Sequence, residues 1–407
     1  MPFLKKKNRM TLGGRILVVL LCLLPLTARA DKKVVKIGFI ADITGAGFLI
    51  ALAQKNALEL AAEEINSTGG LLGRRVELMV RDSQLRPDLG AALAQEMITR
   101  DKVDFILGPT SPSVALAVSR VCRAQKKLLA LHGANNERLI NEEGHRYVFQ
   151  VIPSTYMEGQ AVAAFVSKKP YKKIMIIGPE LEYGHSQAEA FKKKIAELNP
   201  AVAVVKEFWP RLGEPDYTPY IAAVLSTKPD AVYSILWGGD LASFLRQALP
   251  HGVFQKTQFI SPIDYDLLKG LGNDMIAGLH GFDRAPFYAM NNPLMKAFLN
   301  KYKNRTGEFP SAWAVMAYDS LMAIRKAAEK AKSLDTEKVI DALGGLSWDS
   351  LRGPLKIRPQ DHLANAGLFF GTTAKDPQYS FYVMKDVVYF PGHDFWPPTE
   401  ETKSPRK

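Results

Sequence analysis

The sequence predicts an α/β protein of two similar lobes, each a parallel sheet with helices on both faces. Three observations carry this. From residue 31 onward, short Val- and Ile-rich runs alternate with amphipathic helical stretches, the grammar of a parallel sheet. Five such runs fall before residue 152 and five after residue 172, so the plan is doubled. The 407 residues suit two domains of ordinary size.

The elements follow in order. Lys5, Lys6, Lys7, Arg9 and Arg15 form a basic head, ILVVLLCLLPL (16–26) an apolar run, and ARA (28–30) a small-residue cleavage site. This is the three-part pattern of a secretory signal, and the apolar run is too short to span a bilayer. The expected mature chain therefore starts at Asp31 and is soluble. Cys22 follows Leu21, where a lipid-anchored product would need a small residue. The strands of the first half are VVKIGFIA (34–41), VELMVRD (76–82), VDFILG (103–108), KLLALH (127–132) and YVFQVI (147–152). Those of the second are KKIMIIG (172–178), AVAVVKEF (201–208), DAVYSIL (230–236), TQFIS (257–261) and AGLHGF (277–282). Helices such as ALELAAEEIN (57–66) and DLGAALAQEMITRD (88–101) lie between them. The last third breaks the alternation with a long helix (312–331), GPLKIRP (353–359) and a Pro-rich tail (397–407). It is expected to have no sheet of its own, completing the first lobe and bracing the second.

Composition narrows the function. Cleavage removes six basic residues and no acid, taking the net charge from +12 to +6. The remaining cations are scattered, and KKPYKK (168–173) reads as a solvated face, not a nucleic-acid stripe. Cys122 is the one cysteine left in the mature chain, so no internal disulfide can form. The seven histidines are dispersed, with no metal-binding spacing. GAGFLI (45–50) places Ile50 where a dinucleotide fingerprint needs its third glycine, and neither a P-loop nor a G-x-S-x-G elbow occurs. His132 reads as a hydrogen-bonded structural residue.

Four turns at strand ends are candidates for binding. In open α/β sheets ligands bind beyond the carboxyl ends of the strands, where helix amides lack partners. In LGPTSPS (107–113) Gly108 allows a tight turn, Ser113 can cap the next helix, and Ser111, Ser113 and free amides can hold a carboxylate. In LHGANNE (131–137) Gly133 and Ala134 leave room beside the backbone, while Asn135 and Asn136 offer amides. Trp237 in ILWGGD (235–240) can wall a site, and Tyr183 in PELEYGHS (179–186) can reach over a cleft. For each of these turns a purely structural role is an equal alternative.

Taken together, VVKIGFIADITGAG, EINSTGGLLG with Asp82 after the next strand, VDFILGPTSPS, LEYG, FPSAWAVMAYDSL (309–321) and GPLKIRPQDH (353–362) resemble the branched-chain amino-acid-binding proteins of bacterial ABC importers. The resemblance covers nearly the whole mature chain. It implies a type I periplasmic binding fold: two doubly wound parallel-sheet lobes joined by three crossovers and closing on a ligand. The implied division is a signal peptide over 1–30, first lobe over 31–152 and 284–366, second lobe over 153–283 and 367–396, and a tail over 397–407. By position, 111–113 and 133–135 would hold the ligand's carboxylate and part of its ammonium, faced by Tyr183 and Trp237. Ile50 matches the aromatic that covers the ligand side chain in leucine-binding members. The family's carboxylate-binding serine falls on Pro112, its second hydroxyl on Asn135, and its ammonium-binding glutamate on Ile263, with Asp264 adjacent. The family's first-lobe disulfide positions read Leu85 and Ser111.

The expected function is capture of a hydrophobic or branched-chain amino acid, or a similar small carboxylate, by a monomeric periplasmic protein that presents it to a membrane permease, without cofactor, metal or catalysis. An aromatic acid or small amide is the alternative ligand. A sensor subunit and an extracytoplasmic enzyme are the alternative roles.

Overall fold

The computed structural model describes residues 2–4, 34–45 and 47–399. The predicted signal, with Cys22, lies outside the described residues apart from 2–4, as does the tail from 400 onward. No helix among the described residues is long and apolar enough to cross a membrane.

The first lobe opens with β1 (Val35–Ala41), α1 (Phe48–Ser67), β2 (Val76–Asp82), α2 (Pro87–Thr99) and β3 (Phe105–Leu107). It continues through α3 (Pro112–Ala124), β4 (Leu129–Leu131), α4 (Glu137–Ile140) and β5 (Val148–Gln150). The five strands are parallel, in the order β2-β1-β3-β4-β5. Val35, Ile37 and Phe39 pack on one face, and Ile40, Ile106 and Leu129 on the other. Burial on both faces is why β3, β4 and most of β1 read as apolar runs, whereas β2 at the sheet edge is only partly buried and carries Glu77, Arg81 and Asp82.

The second lobe holds α5 (Thr155–Val166), β6 (Lys173–Ile177), α6 (Glu182–Leu198), β7 (Ala203–Phe208) and α7 (Thr218–Thr227). After these come β8 (Ala231–Ser234), α8 (Gly238–Ala248), β9 (Gln258–Pro262), α9 (Tyr265–Leu271) and β10 (His280–Asp283). All ten runs read as strands in the sequence are strands here.

The last third departs from expectation. After α10 (Pro293–Thr306), α11 (Ala312–Ala331) and α12 (Thr336–Leu343), β11 (Ser347–Ser350) and β12 (Gly353–Lys356) form a hairpin of their own. Next, β13 (Leu368–Ala374) and β14 (Val383–Phe390) extend the second sheet antiparallel, giving the order β14-β13-β10-β9-β8-β6-β7. The eight residues between β13 and β14 contain no helix, so the pair can only close as a hairpin. The long helix does return to the first lobe: Tyr318 on α11 donates to Glu64 on α1 at 2.9 Å, and Arg305 on α10 pairs with Glu59 and Glu63.

The chain passes between the sheets after β5, after β10 and before β13. Aromatic side chains brace the junction. Phe287 of the second passage stacks on Phe309 at 4.8 Å, and Tyr265 at the start of α9 meets Phe287 and Phe381 at 5.6 and 5.2 Å.

Candidate ligand cleft

The turn after β3 is built as its glycine and proline demand. Gly108 has φ +83°, and a Cβ there would lie 2.3 Å from the Ile40 carbonyl, so only glycine fits. Pro112 occupies the first turn of α3, and Ser111, not Ser113, stands at the N-cap. The expectation that Ser113 caps the helix is thus corrected. Proline's fixed φ favours the first helical position, which moves the helix start two residues upstream. Ser113 is exposed, and its hydroxyl lies 3.1 Å from that of Ser111.

Two of the amides expected to receive a ligand carboxylate are already in use. Asp42, fully buried at the end of β1, accepts from Thr110 N at 3.1 Å and Ser111 N at 2.8 Å, and from the Ser83 hydroxyl. Pro112 adds no N–H. Two amides of this turn are therefore taken by the protein's own carboxylate, while those of Ser113 and Val114 in the first turn of α3 are not.

The room expected beside Gly133 is filled as well. A Cβ there would meet Gln54 Nε2 at 2.8 Å and Thr110 Cα at 2.9 Å, and Ala134 is wholly buried in the first lobe. His132 is sealed against Phe39 and hydrogen-bonds Ser320 through Nδ1 at 3.2 Å; burial pushes its pKa down to about 3. It is a structural residue.

Asn135 behaves differently. Its amide donates to Pro153 O and to Glu158 Oε1, both at 3.0 Å. Asn136 caps α4 and donates to Pro112 O. These residues with Pro112 and Glu137 from the first lobe, and Thr155, Glu182, Tyr183 and Ser186 from the second, enclose a cavity of about 10 Å³, room for one water. Glu137 is pushed up to about 7, chiefly by burial. Across the mouth Arg138 of α4 reaches Glu182 of α6 at 3.9 Å.

Behind this cavity lies a polar network that sequence reading missed. Glu158 on α5, fully buried, takes Arg284 Nε at 2.6 Å and Nη2 at 2.9 Å, and also accepts Gln187 Nε2 at 2.7 Å. Tyr233 OH completes the chain onto Gln187 at 2.8 Å. Burial pushes the Glu158 carboxyl up, against the pull of Arg284 and Asn135. Burial alone would lower the Arg284 guanidinium, but Glu158 holds it above its ordinary value. Arg284 also lies over the Trp313 indole at 5.2 Å and within 3.5 Å of the Tyr183 hydroxyl.

The remaining candidates are dispersed. Ile263 is buried in the second-lobe core, its amide bonded to Phe282 O. Asp264 caps α9 through Leu267 N at 2.9 Å. Its carboxyl is pushed up by burial, while Leu267 N, the Arg284 charge and a hydrogen bond from Trp313 oppose that. Asp264 thus sits against a side chain of the returning first lobe. Asp266 and Asp283 are each pushed up to about 7, first by burial and then by Asp264. Trp237 is the half-buried N-cap of α8 and Ile50 lies half-buried in the first turn of α1; neither lines the cavity. Among the described residues no cluster of three or more His, Cys, Asp or Glu could hold a metal ion.

Two lobes built on a parallel and a mostly parallel sheet, with three connections and polar groups gathered where they meet, have the architecture of a two-lobed binding protein. The chain belongs to the periplasmic binding protein family, whose model matches residues 34–377. It is 24% identical over 341 residues to the leucine-, isoleucine-, valine-, threonine- and alanine-binding protein of Pseudomonas aeruginosa, covering 81% of this chain and 87% of that one. Among solved structures it resembles an amino acid ABC transporter substrate-binding protein from Pseudomonas fluorescens (TM-score 0.82, 18% identity, 91% and 98% covered). It also resembles an ABC transporter solute-binding protein from Rhodopseudomonas palustris in complex with 3,4-dihydroxybenzoic acid (TM-score 0.78, 23% identity, 88% and 96% covered). These are substrate-binding transport proteins.

Proposed function

We propose that the protein captures a small carboxylate-bearing solute between its lobes outside the cytoplasm and presents it to the membrane permease of an ABC importer, acting as a monomer without catalysis. The carrying observation is the cavity of about 10 Å³ walled by Pro112, Asn135 and Glu137 from one lobe and Thr155 and Tyr183 from the other. No amino acid fits such a space, so the lobes must part to admit a solute and re-close on it. Ligand contacts to both lobes at once then favour the closed state.

The amino-acid reading is supported by Asp264, a carboxylate held against Trp313 and Arg284 at the lobe junction, where it can face an ammonium. The aromatic-acid reading is supported by Ile263, buried at the position of the family's ammonium-binding acid. A thermal-shift screen of amino acids, aromatic acids and small amides tests the proposal. A ligand at 100 times its Kd adds about 2.7 kcal/mol, enough to raise the melting temperature visibly. A panel with no stabilising acid would contradict it, as would turnover of the ligand.

A further inference from the structure

Arg284 ends β10's extension into the second passage between lobes and is 7% exposed. Its guanidinium has three nitrogens, and Glu158 occupies Nε and Nη2. Nη1 has no acceptor among the described residues. It is not sealed from solvent either, unlike Nη1 of Arg352, which is both buried and unpartnered. A nearly buried guanidinium whose one remaining amino group is open to solvent can take a further acceptor without breaking its bonds to Glu158, and a charged hydrogen bond there is stronger than a neutral one. Its surroundings touch the cavity at two points: Asn135 shares Glu158 Oε1 with Arg284, and the Tyr183 hydroxyl lies 3.5 Å from Nη2.

The other groups on this cavity narrow the choice. None of its titratable walls, Glu137, Glu182 and Tyr183, can supply a positive charge to a carboxylate. The amides of Thr110 and Ser111 are bound to Asp42 and Pro112 has none, which leaves that turn only the uncharged amides of Ser113 and Val114. We propose that Arg284 receives the ligand's carboxylate through Nη1 and sets the protein's preference for acids over their amides. This rests on the reading of the protein as a binder of small carboxylates. Glu158 and the Trp313 indole act as positioning groups: they fix the plane of the guanidinium so that Nη1 points away from the ion pair. Asp264 and Asp283 stand near the same charge, so an acid carrying an ammonium is accommodated better than a dianion.

The test compares acid with amide by calorimetry on the exported, processed protein, using leucine against leucinamide and benzoate against benzamide. Arg284→Lys keeps a cation for Glu158 but removes the fork. Because that variant can be unstable, the pair Glu158→Gln with Arg284→Gln gives a neutral replacement, and thermal melts confirm that each folds. The wild type is expected to prefer the acid, and both variants to lose roughly 30-fold or more of that preference, the usual loss when one partner of a buried charge pair is removed. An unchanged acid-to-amide ratio in both folded variants overturns Arg284 as the anchor and leaves the proposed function standing. A wild type that binds none of the acids overturns both.

Discussion

Replacing Asp264 by asparagine separates two jobs that alanine would confuse. The side chain caps α9, a helix of only seven residues, by accepting from Leu267 N at 2.9 Å. Asparagine keeps that acceptor, whereas alanine loses it at about 1 kcal/mol of stability. The charge is a separate matter. Asp264 is desolvated at the lobe junction beside Arg284 and Trp313. If it receives the ligand's ammonium, Asp264→Asn leaves that ammonium buried without a counter-charge and should weaken leucine binding by roughly 2–5 kcal/mol. Benzoate, which has no ammonium, should bind Asp264→Asn as well as wild type or slightly better. Calorimetry with both probes at neutral pH reads the difference, and urea titrations of the Asn and Ala variants check the cap. Unchanged leucine affinity in Asp264→Asn would refute ammonium recognition here and move the assignment to an aromatic acid.

Other outcomes follow from the same geometry. Asp42→Ala frees the amides of Thr110 and Ser111 and orphans Ser83, so unfolding in urea should come about 3 kcal/mol earlier, while Asp42→Asn, which can still accept from the amides, should recover most of it; equal losses would contradict the assignment. His132 is held neutral with a pKa of about 3, below its unfolded value. Its contribution is therefore complete above about pH 6.5 and is lost as pH falls towards 3, by up to about 1.4 kcal/mol per unit. The stability gap between wild type and His132→Gln should narrow from pH 7 to pH 4, and a constant gap would argue against a sealed imidazole. N-terminal sequencing of the exported protein should begin at Asp31; a chain that begins at Met1 or stays with membranes would exclude the predicted processing.

Most of the ten strands were legible because they are buried on both faces and read as Val- and Ile-rich runs; the edge strands β2 and β7 are partly exposed and carry charges, and were legible from their place in the alternation. β13 and β14 are just as apolar but were passed over, since the strand-helix alternation that marked the others stops at α11. The site was less legible than the fold. Nothing near Ser111 shows that its amide is committed to Asp42, because that carboxylate lies 69 residues away. The space beside Gly133 is filled by Gln54, equally remote in sequence. Trp237 and Ile50 sit at strand and helix ends and do not line this cavity. Two signals were present locally. Glu158 is the single charge in TYMEGQAVAAFV, an otherwise apolar helix, and a buried charge needs a partner. Arg284 follows directly on the buried strand HGFD. Read together, they would have predicted the ion pair between the two passages.

Closure of the two lobes around one solute is tested most directly by small-angle scattering. The processed protein is measured alone and with a saturating concentration of the acid that stabilises it most in the thermal screen. The lobes contact the ligand from both sides, so the radius of gyration should fall on binding, and an amide that does not bind should leave it unchanged. An identical scattering curve with and without a ligand that calorimetry shows to be bound one to one would contradict closure and the account built on it.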